Sequence, residues 1–175
     1  MRRSAFILAS LVAMSLAAFA PRARCEDLPE YRLKAAFLYN FALFTEWTTN
    51  VGPTLNLCVY GRDPFGPEID GLEGKAVGDR RIAVRRVSDI EPLRDCQLVF
   101  IADTAIGSLP RVLASLRGAA VLTCADSPGA VDQGVALNMN VVNNRVTFEA
   151  NLAAARDAKL VLSSKLLHLA TKVRR

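Results

Sequence analysis

Apolar residues along the chain fall into stretches with helical spacing and stretches with strand-like spacing. In residues 31–47 the apolar positions include 33, 36, 37, 41 and 44, a spacing that predicts a helix. Asn40 shares this stripe. Leu38, Tyr39 and Leu43 lie on the other side, so we expect the helix to be buried on more than one side.

Six further segments are typical of strands. They are residues 55–60, 81–87, 96–102, 119–125, 134–137 and 145–148. The first two alternate between apolar and polar side chains, whereas the next two are nearly continuous apolar runs, as expected of strands buried on both faces. An asparagine-rich turn joins the last two, and Asn143 and Asn144 suit a tight hairpin there because asparagine tolerates positive φ.

Short helices are predicted between the strands. One or two helical turns over residues 64–69 would have Asp63 as the N-cap and Pro64 as the first helical residue. A second short helix is predicted over residues 108–116, with Ser108 as its cap.

The tail, residues 151–174, is helical in composition. Apolar residues recur there at helical spacing, at Leu166, Leu169, Ala170 and Val173. We expect a break near residues 160–163, with a serine capping the second piece.

Strands that alternate with helices predict an α/β fold. We expect a mostly parallel sheet of five to six strands flanked by helices in three layers, with a C-terminal β-hairpin and helix. Such an architecture does not by itself name a function.

The N-terminus has the layout of a secretory signal peptide. Two arginines precede an apolar run of about 16 residues, which is short for a bilayer span of roughly 20. A single N-terminal membrane anchor is the alternative. We expect residues 1–25 to be a signal peptide, cleaved after Ala20 or Cys25, and residues 26–175 to form one exported domain that is soluble after cleavage.

Export changes the charge of the chain. The full sequence has 22 Lys+Arg against 17 Asp+Glu, a net charge of +5. Residues 1–25 hold four arginines and no acid, so the exported domain has 18 basic residues against 17 acidic ones. Because the exported domain is nearly neutral and has no basic run with interleaved aromatics, nucleic acid is not an expected partner.

The glycine-containing stretches do not match a nucleotide site. Gly61 and Gly66 have the spacing of a phosphate-binding loop, but Pro67 and Glu68 follow where that loop needs Lys and Ser or Thr. No Gly-x-Gly-x-x-Gly fingerprint occurs in the chain. The sequence therefore predicts no nucleotide cofactor.

Catalytic and metal-binding patterns are also missing from the sequence. The one histidine, His168, is flanked by leucines, a setting more typical of a packed or interfacial residue than of a catalyst. There is no Gly-x-Ser-x-Gly elbow, and a zinc site would lack ligands. We predict no catalytic residue, metal or cofactor, which favours a binding or regulatory protein over an enzyme.

The cysteines are more informative. Cys58 lies in the first predicted strand of the sheet and Cys96 opens the third. If those strands are neighbours, the two sulfurs can pair in an oxidising compartment, and two buried thiols are the alternative. Cys124 is expected either as a small buried residue or in a disulfide with another chain, and Cys25, if retained, is a further possible partner.

Seven blocks together resemble a known family. They are LKAAFLYNFALFTEW, LCVYGRDPFG, GKAVGDRRIAVRRV, DCQLVFIA, VLTCAD, GVALNM and NRVTFEANLAAARDAKLVLSSKLLHLATKV. In this order they are similar to the YfiR/HmsC-like family of periplasmic proteins over residues 33–173. Two positions depart from the family pattern: Gln133-Gly134 stands where a Gly-Gly pair is usual, and Cys124 where an aliphatic residue is common.

This resemblance implies a non-enzymatic exported regulator. Members of the YfiR type hold a membrane-bound diguanylate cyclase inactive by engaging its periplasmic part. An OmpA-like outer-membrane lipoprotein releases them, so that cyclic di-GMP and biofilm formation rise. The resemblance also implies a homodimer, and a disulfide between Cys58 and Cys96, because the family has cysteines at both positions.

Exposed apolar or aromatic residues usually anchor such a partner surface. The candidates are Tyr39, Phe44 and Trp47 at the end of the first helix, and Leu167 and His168 in the last. Packing within the core is the alternative for each. The alternative function is a periplasmic small-molecule-binding sensor domain that acts with a sensor kinase or a transport system.

Overall fold

A computed structural model describes residues 27–48 and 52–175 of the chain. The predicted signal peptide and both predicted cleavage positions lie outside these residues, as does Cys25. Within the described ranges, no helix is long and apolar enough to cross a membrane.

The described residues form five α-helices, two 3₁₀-helices and ten strands. The α-helices are α1 Asp27–Leu43, α2 Pro67–Asp70, α3 Leu109–Ser115, α4 Leu152–Asp157 and α5 Ser164–Leu169, and the 3₁₀-helices are Glu91–Asp95 and Asp103–Ser108. The strands are β1 Thr45–Trp47, β2 Thr54–Tyr60, β3 Ala76–Val77, β4 Arg80–Val87, β5 Leu98–Ile101, β6 Leu122–Ala125, β7 Leu137–Val142, β8 Arg145–Asn151, β9 Leu160–Leu162 and β10 Lys172–Arg174.

Eight of these strands form one sheet in the order β10-β8-β7-β6-β5-β2-β4-β3. Five of its seven pairings are parallel, and β7–β8 and β3–β4 are antiparallel. Strands β1 and β9 pair separately. The structure confirms the predicted α/β class, the mostly parallel sheet and the C-terminal hairpin. The sheet has eight strands and not the five to six expected, because the short edge strands β3 and β10 were not predicted.

The sheet is covered on both faces, which gives the three predicted layers. On one face, α1 contributes Leu38 and Phe41, both fully buried, to the larger core cluster. The Phe41 ring packs edge-on against Phe148 of β8, with centroids 5.1 Å apart. On the other face, α3 buries Leu109 and Val112 against strands β2, β5 and β6.

The first helix differs from the prediction at its end and in its buried side. It stops at Leu43, and residues 45–47 form β1 instead, where the Thr45 hydroxyl donates a hydrogen bond of 2.7 Å to the Phe41 carbonyl. The predicted stripe is divided: Leu33 is 51% exposed, whereas Phe41 is fully buried. Leu38, from the other predicted side, is also fully buried, because apolar residues occur on both sides of α1 and periodicity alone does not select the side that packs against the core.

One predicted helix start is wrong, and one predicted N-cap residue makes no capping hydrogen bond. Gly66, with φ of 56°, precedes α2, so this helix begins at Pro67 and not at Pro64. Asp63 accepts a 2.7 Å hydrogen bond from the Phe65 backbone N–H, which forms a local turn. Ser108 lies in a 3₁₀-helix, and its hydroxyl donates to the Ala105 carbonyl at 2.7 Å instead of capping α3.

Strand β7 begins later than predicted. It covers residues 137–142, so the segment assigned to the turn is mainly strand. The hairpin turn itself is confined to Asn143 and Asn144, whose φ angles of 50° and 60° confirm the expected use of asparagine.

The tail is less helical than predicted. The expected break is present as strand β9, and Ser163 caps α5 by accepting a hydrogen bond from the Leu166 N–H. Asn151 caps α4 in the same way. The last residues turn into β10 beside β8, which removes Val173 from the predicted helical stripe.

Candidate functional site

The loops after β2 and β5 meet at the point where the strand order switches from one half of the sheet to the other. In α/β folds, ligands usually bind in the crevice at this point. Gly61 has φ of 95°, and a Cβ added there would lie 2.8 Å from the Ala105 Cβ. The Arg62 N–H donates to the Thr104 hydroxyl at 3.1 Å. The glycine therefore serves a close contact between two loops, which fill this crevice.

The disulfide implied by the family resemblance is present. Strands β2 and β5 are parallel neighbours, and Cys58 and Cys96 are bonded with their Cα atoms 6.1 Å apart. Both cysteines are buried under α3. Cys124 is a free, buried thiol, and burial raises the pKa of this thiol, which makes it unreactive.

A buried charge cluster, which the sequence analysis missed, ties α1 to the end of β6. The Lys34 ammonium lies 2.6 Å from Asp126 Oδ2 and 2.5 Å from Glu30 Oε1. The Tyr31 hydroxyl donates to the same Asp126 oxygen at 3.2 Å. The lysine and aspartate side chains are 4% and 3% exposed, and Asp126 Oδ1 accepts no hydrogen bond within the described structure.

Burial and pairing shift the protonation of this cluster. Burial alone would lower the pKa of Lys34, but hydrogen bonds to Asp126 and Glu30 outweigh it and raise the pKa above its usual value. Burial, with the nearby Asp126 charge, raises the pKa of Tyr31 to about 12. The cluster therefore holds a charged lysine and a neutral tyrosine at neutral pH.

The predicted partner-binding residues do not come together in one place. Trp47 is buried, and its indole N–H donates to the Ala120 carbonyl at 3.1 Å. Tyr39 is half-buried on the side of α1 that faces α2 and β3, whereas His168 is exposed on α5. Phe44 and Leu167 are half-buried and pack against the larger core cluster, near the start of α5.

Two concave regions lie on the surface. A cavity of about 440 Å³ opens between α3, α4 and β10, with apolar walls that include Leu113 and Val121. Its rim carries Arg117, Asp157 and the ion pair of Asp132 with Arg174, whose N···O distance is 2.8 Å. A smaller groove of about 270 Å³ runs between α1 and α2.

These features define a three-layer α/β domain with a buried disulfide under one helical layer and a partly exposed apolar helix on the other. Across the described residues, no group of three or more His, Cys, Asp or Glu side chains is placed to hold a metal ion. The chain belongs to the YfiR/HmsC-like family, whose model matches residues 31–171. This family is regulatory, non-catalytic and periplasmic.

Solved structures show the same fold at low sequence identity. An ABC domain from Streptococcus pneumonia in complex with L-Trp and a conserved domain protein from Vibrio cholerae O1 biovar eltor are 7% and 6% identical to this chain, each with a TM-score of 0.53. Each match covers 82% of this chain and 60% of the other, so this chain spans less than two thirds of their length. No curated protein matches the chain in sequence.

Proposed function

We propose that this chain is a periplasmic, non-enzymatic repressor that holds a membrane-bound diguanylate cyclase inactive, and so lowers cyclic di-GMP and biofilm formation. The observation that carries this proposal is the family match over residues 31–171, nearly the whole described domain. The buried disulfide supports export, because such bonds persist in oxidising compartments. In this proposal residues 1–25 are the signal peptide and residues 26–175 the mature domain.

A repressor of this kind must bind the inactive state of its partner more tightly than the active state. A rigid domain suits that task because little ordering entropy is lost on binding. The disulfide and the Lys34–Asp126 ion pair fix strands and α1 in one arrangement. Apolar residues on the outside of α1, such as Leu33 and Leu43, are available for contact.

The wider assembly follows from the family type. The chain is proposed to act as a homodimer and to be released by an OmpA-like outer-membrane lipoprotein. Tyr39, Phe44, Leu167 and His168 are proposed partner contacts because part of each side chain reaches the surface. Trp47 is buried in the core and is not among these proposed contacts.

Gene deletion tests the proposal. Cyclic di-GMP should rise in the deletion strain and return to its original level when the full chain is restored. A matched control is the same chain without residues 2–25, which should accumulate in the cytoplasm and fail to restore repression. If deletion leaves the nucleotide level unchanged, the repressor proposal is wrong.

A second candidate function is ligand sensing, together with a sensor kinase or a transport system. The cavity of about 440 Å³ supports it, since its volume is in the range of small-molecule sites. The structurally similar ABC domain was solved with L-Trp, so L-tryptophan is a suitable first probe in calorimetry. Binding that Arg117→Ala weakens, combined with unchanged cyclic di-GMP on deletion, would favour this function.

A further inference from the structure

Helix α1 carries apolar residues on both sides, but the protein covers only one side of it. Ala35, Leu38 and Ala42 are buried in the core. On the opposite side, Leu33 is 51% and Leu43 is 41% exposed. These two leucines lack a covering element among the described residues. The outer side also carries the exposed residues Arg32 and Asn40.

The uncovered side of α1 borders the groove between α1 and α2. Ala36 is exposed and belongs to both surfaces, since it lies on the outer side of the helix and also lines the groove. Ala35 and Gly71 line the groove as well, and these small residues leave room for another helix to approach closely. The Tyr39 side chain lines the same groove and is held by a 2.9 Å hydrogen bond from its hydroxyl to the Ala76 carbonyl.

The groove carries more basic than acidic side chains. Arg32 and Lys75 line it together with one acid, Glu68. The Lys75 ammonium lies 5.1 Å from the centroid of the Tyr39 ring, which places this charge beside the groove.

Apart from Glu68, the acidic residues around α2 that could balance this charge are engaged within the chain. Asp70 pairs with Arg86 at 2.7 Å, and Glu73 accepts a 2.7 Å hydrogen bond from the Val84 N–H. The groove therefore presents an excess of positive charge next to an apolar surface.

We propose that the outer side of α1 and the α1–α2 groove, hereafter the α1 face, bind an amphipathic helix of the repressed partner. Apolar residues of that helix would lie along Leu33, Ala36 and Leu43, with its carboxylates toward Arg32 and Lys75. This is recognition of a helix by an apolar groove, with opposite charges fixing the orientation. The inference rests on the proposed repressor function and names the surface and the chemistry of the partner.

Charge and shape favour this occupant over two others. In a two-fold dimer the α1 face of one copy would pack against the α1 face of the other. Arg32 and Lys75 of the two copies would then lie close together, and the like charges would disfavour this contact. A membrane surface is disfavoured because the aromatic residues of α1 do not protrude: the Phe37 ring packs 5.9 Å from those of both Phe41 and Phe148.

The test compares variants for repression in the deletion strain. Ala36→Glu puts a bulky negative charge on the α1 face while keeping a good helix former, and the pair Arg32→Glu with Lys75→Glu reverses the charge of the groove. We expect both variants to lose at least about tenfold in affinity for the partner, and cyclic di-GMP to stay near the deletion level. Val161→Glu is the matched control, since Val161 is 50% exposed on β9, outside the α1 face.

Each result decides between the occupants. If Ala36→Glu accumulates, keeps the circular dichroism of the wild type and still represses fully, the inference is wrong. If sedimentation shows a dimer of the purified protein that Ala36→Glu dissociates, the occupant is a second copy and the inference is again wrong. Flotation with phosphatidylglycerol vesicles that Ala36→Glu abolishes would assign the face to the membrane instead.

The proposed function is tested separately in the same strains. If deletion itself does not raise cyclic di-GMP, repression and the inference built on it both fail. If deletion raises cyclic di-GMP while every variant represses normally, only the α1 face is wrong.

Discussion

Replacing Lys34 by methionine should destabilise the domain severely. The substitution keeps an apolar stem at a position that is 3% exposed, but removes the ammonium that pairs with Asp126. The Asp126 carboxylate would remain buried, with the Tyr31 hydroxyl as its one remaining partner in the described structure. An unpaired buried charge of this kind is far more costly than the loss of a surface ion pair.

The magnitude follows from the burial of each partner. Removing one member of a buried pair costs about 3–5 kcal/mol. The contact with Glu30 adds little, since that carboxylate is 32% exposed and such pairs contribute about 1 kcal/mol or less. Domains of this size have a free energy of unfolding of about 5–15 kcal/mol, so the loss is a large fraction of the total. With a urea m-value of about 2 kcal/mol/M, the unfolding midpoint should fall by roughly 2 M.

Urea unfolding of the oxidised protein at neutral pH measures this effect. Circular dichroism and the fluorescence of the single tryptophan, the buried Trp47, should report one transition. Lys165→Met, at an exposed position of α5, is the matched control and should change the free energy of unfolding by about 0.5 kcal/mol or less.

A double variant separates pairing from packing. Lys34→Met with Asp126→Leu replaces the pair by apolar groups, and should recover much of the stability that the single variant loses. A Lys34→Met protein whose free energy of unfolding lies within about 1 kcal/mol of the wild type would show that the ion pair contributes little. A double variant that loses as much stability as its two single variants together would show that Lys34 and Asp126 are not coupled.

Three further predictions concern pH, the disulfide and a loop. The pKa of Tyr31 is raised from 10.0 to about 12 in the folded protein, so the unfolded chain loses this proton at lower pH. The free energy of unfolding should therefore fall as pH rises from 10 toward 12. A tyrosinate absorbance titration in which all three tyrosines ionise together near pH 10 would contradict this. Replacing Cys58 and Cys96 by alanine should cost roughly 4 kcal/mol and lower the Tm by roughly 10 °C in calorimetry, whereas an unchanged Tm would show that the bond contributes nothing. In urea unfolding, Gly61→Ala should lower the free energy of unfolding by at least about 2 kcal/mol and Gly78→Ala by about 1 kcal/mol. Both glycines have positive φ, but only Gly61 lies against another loop. Equal losses for the two variants would show that the contact between Gly61 and that loop contributes no stability.

Much of the fold was predictable from local patterns. The buried strands β5 and β6 are continuous apolar runs, and the hairpin turn uses two asparagines at positive φ. The edge strands β3 and β10 escaped prediction because they are two and three residues long and depend on pairing with a neighbour. Strand β7 was placed too early because its asparagines have low strand propensity, which the pairing with β8 overrides.

The candidate surface was only partly predictable. The sequence indicates that α1 is apolar on more than one side, but which side lies outward depends on tertiary packing. Lys34 gave no signal, since a lysine in a helix normally reaches solvent and its partner Asp126 is 92 positions away in the sequence. The disulfide was predictable because neighbouring strands and the family resemblance both pointed to Cys58 and Cys96.

Repression can be measured directly on the membrane enzyme. Spheroplasts of the deletion strain expose the periplasmic side of the cyclase, so purified mature protein can be added from outside while synthesis of cyclic di-GMP is followed. We expect synthesis to fall with added protein until it saturates, and Ala36→Glu to have little effect at the same concentrations. Synthesis that stays unchanged at saturating wild-type protein would contradict the claim that this chain is a repressor.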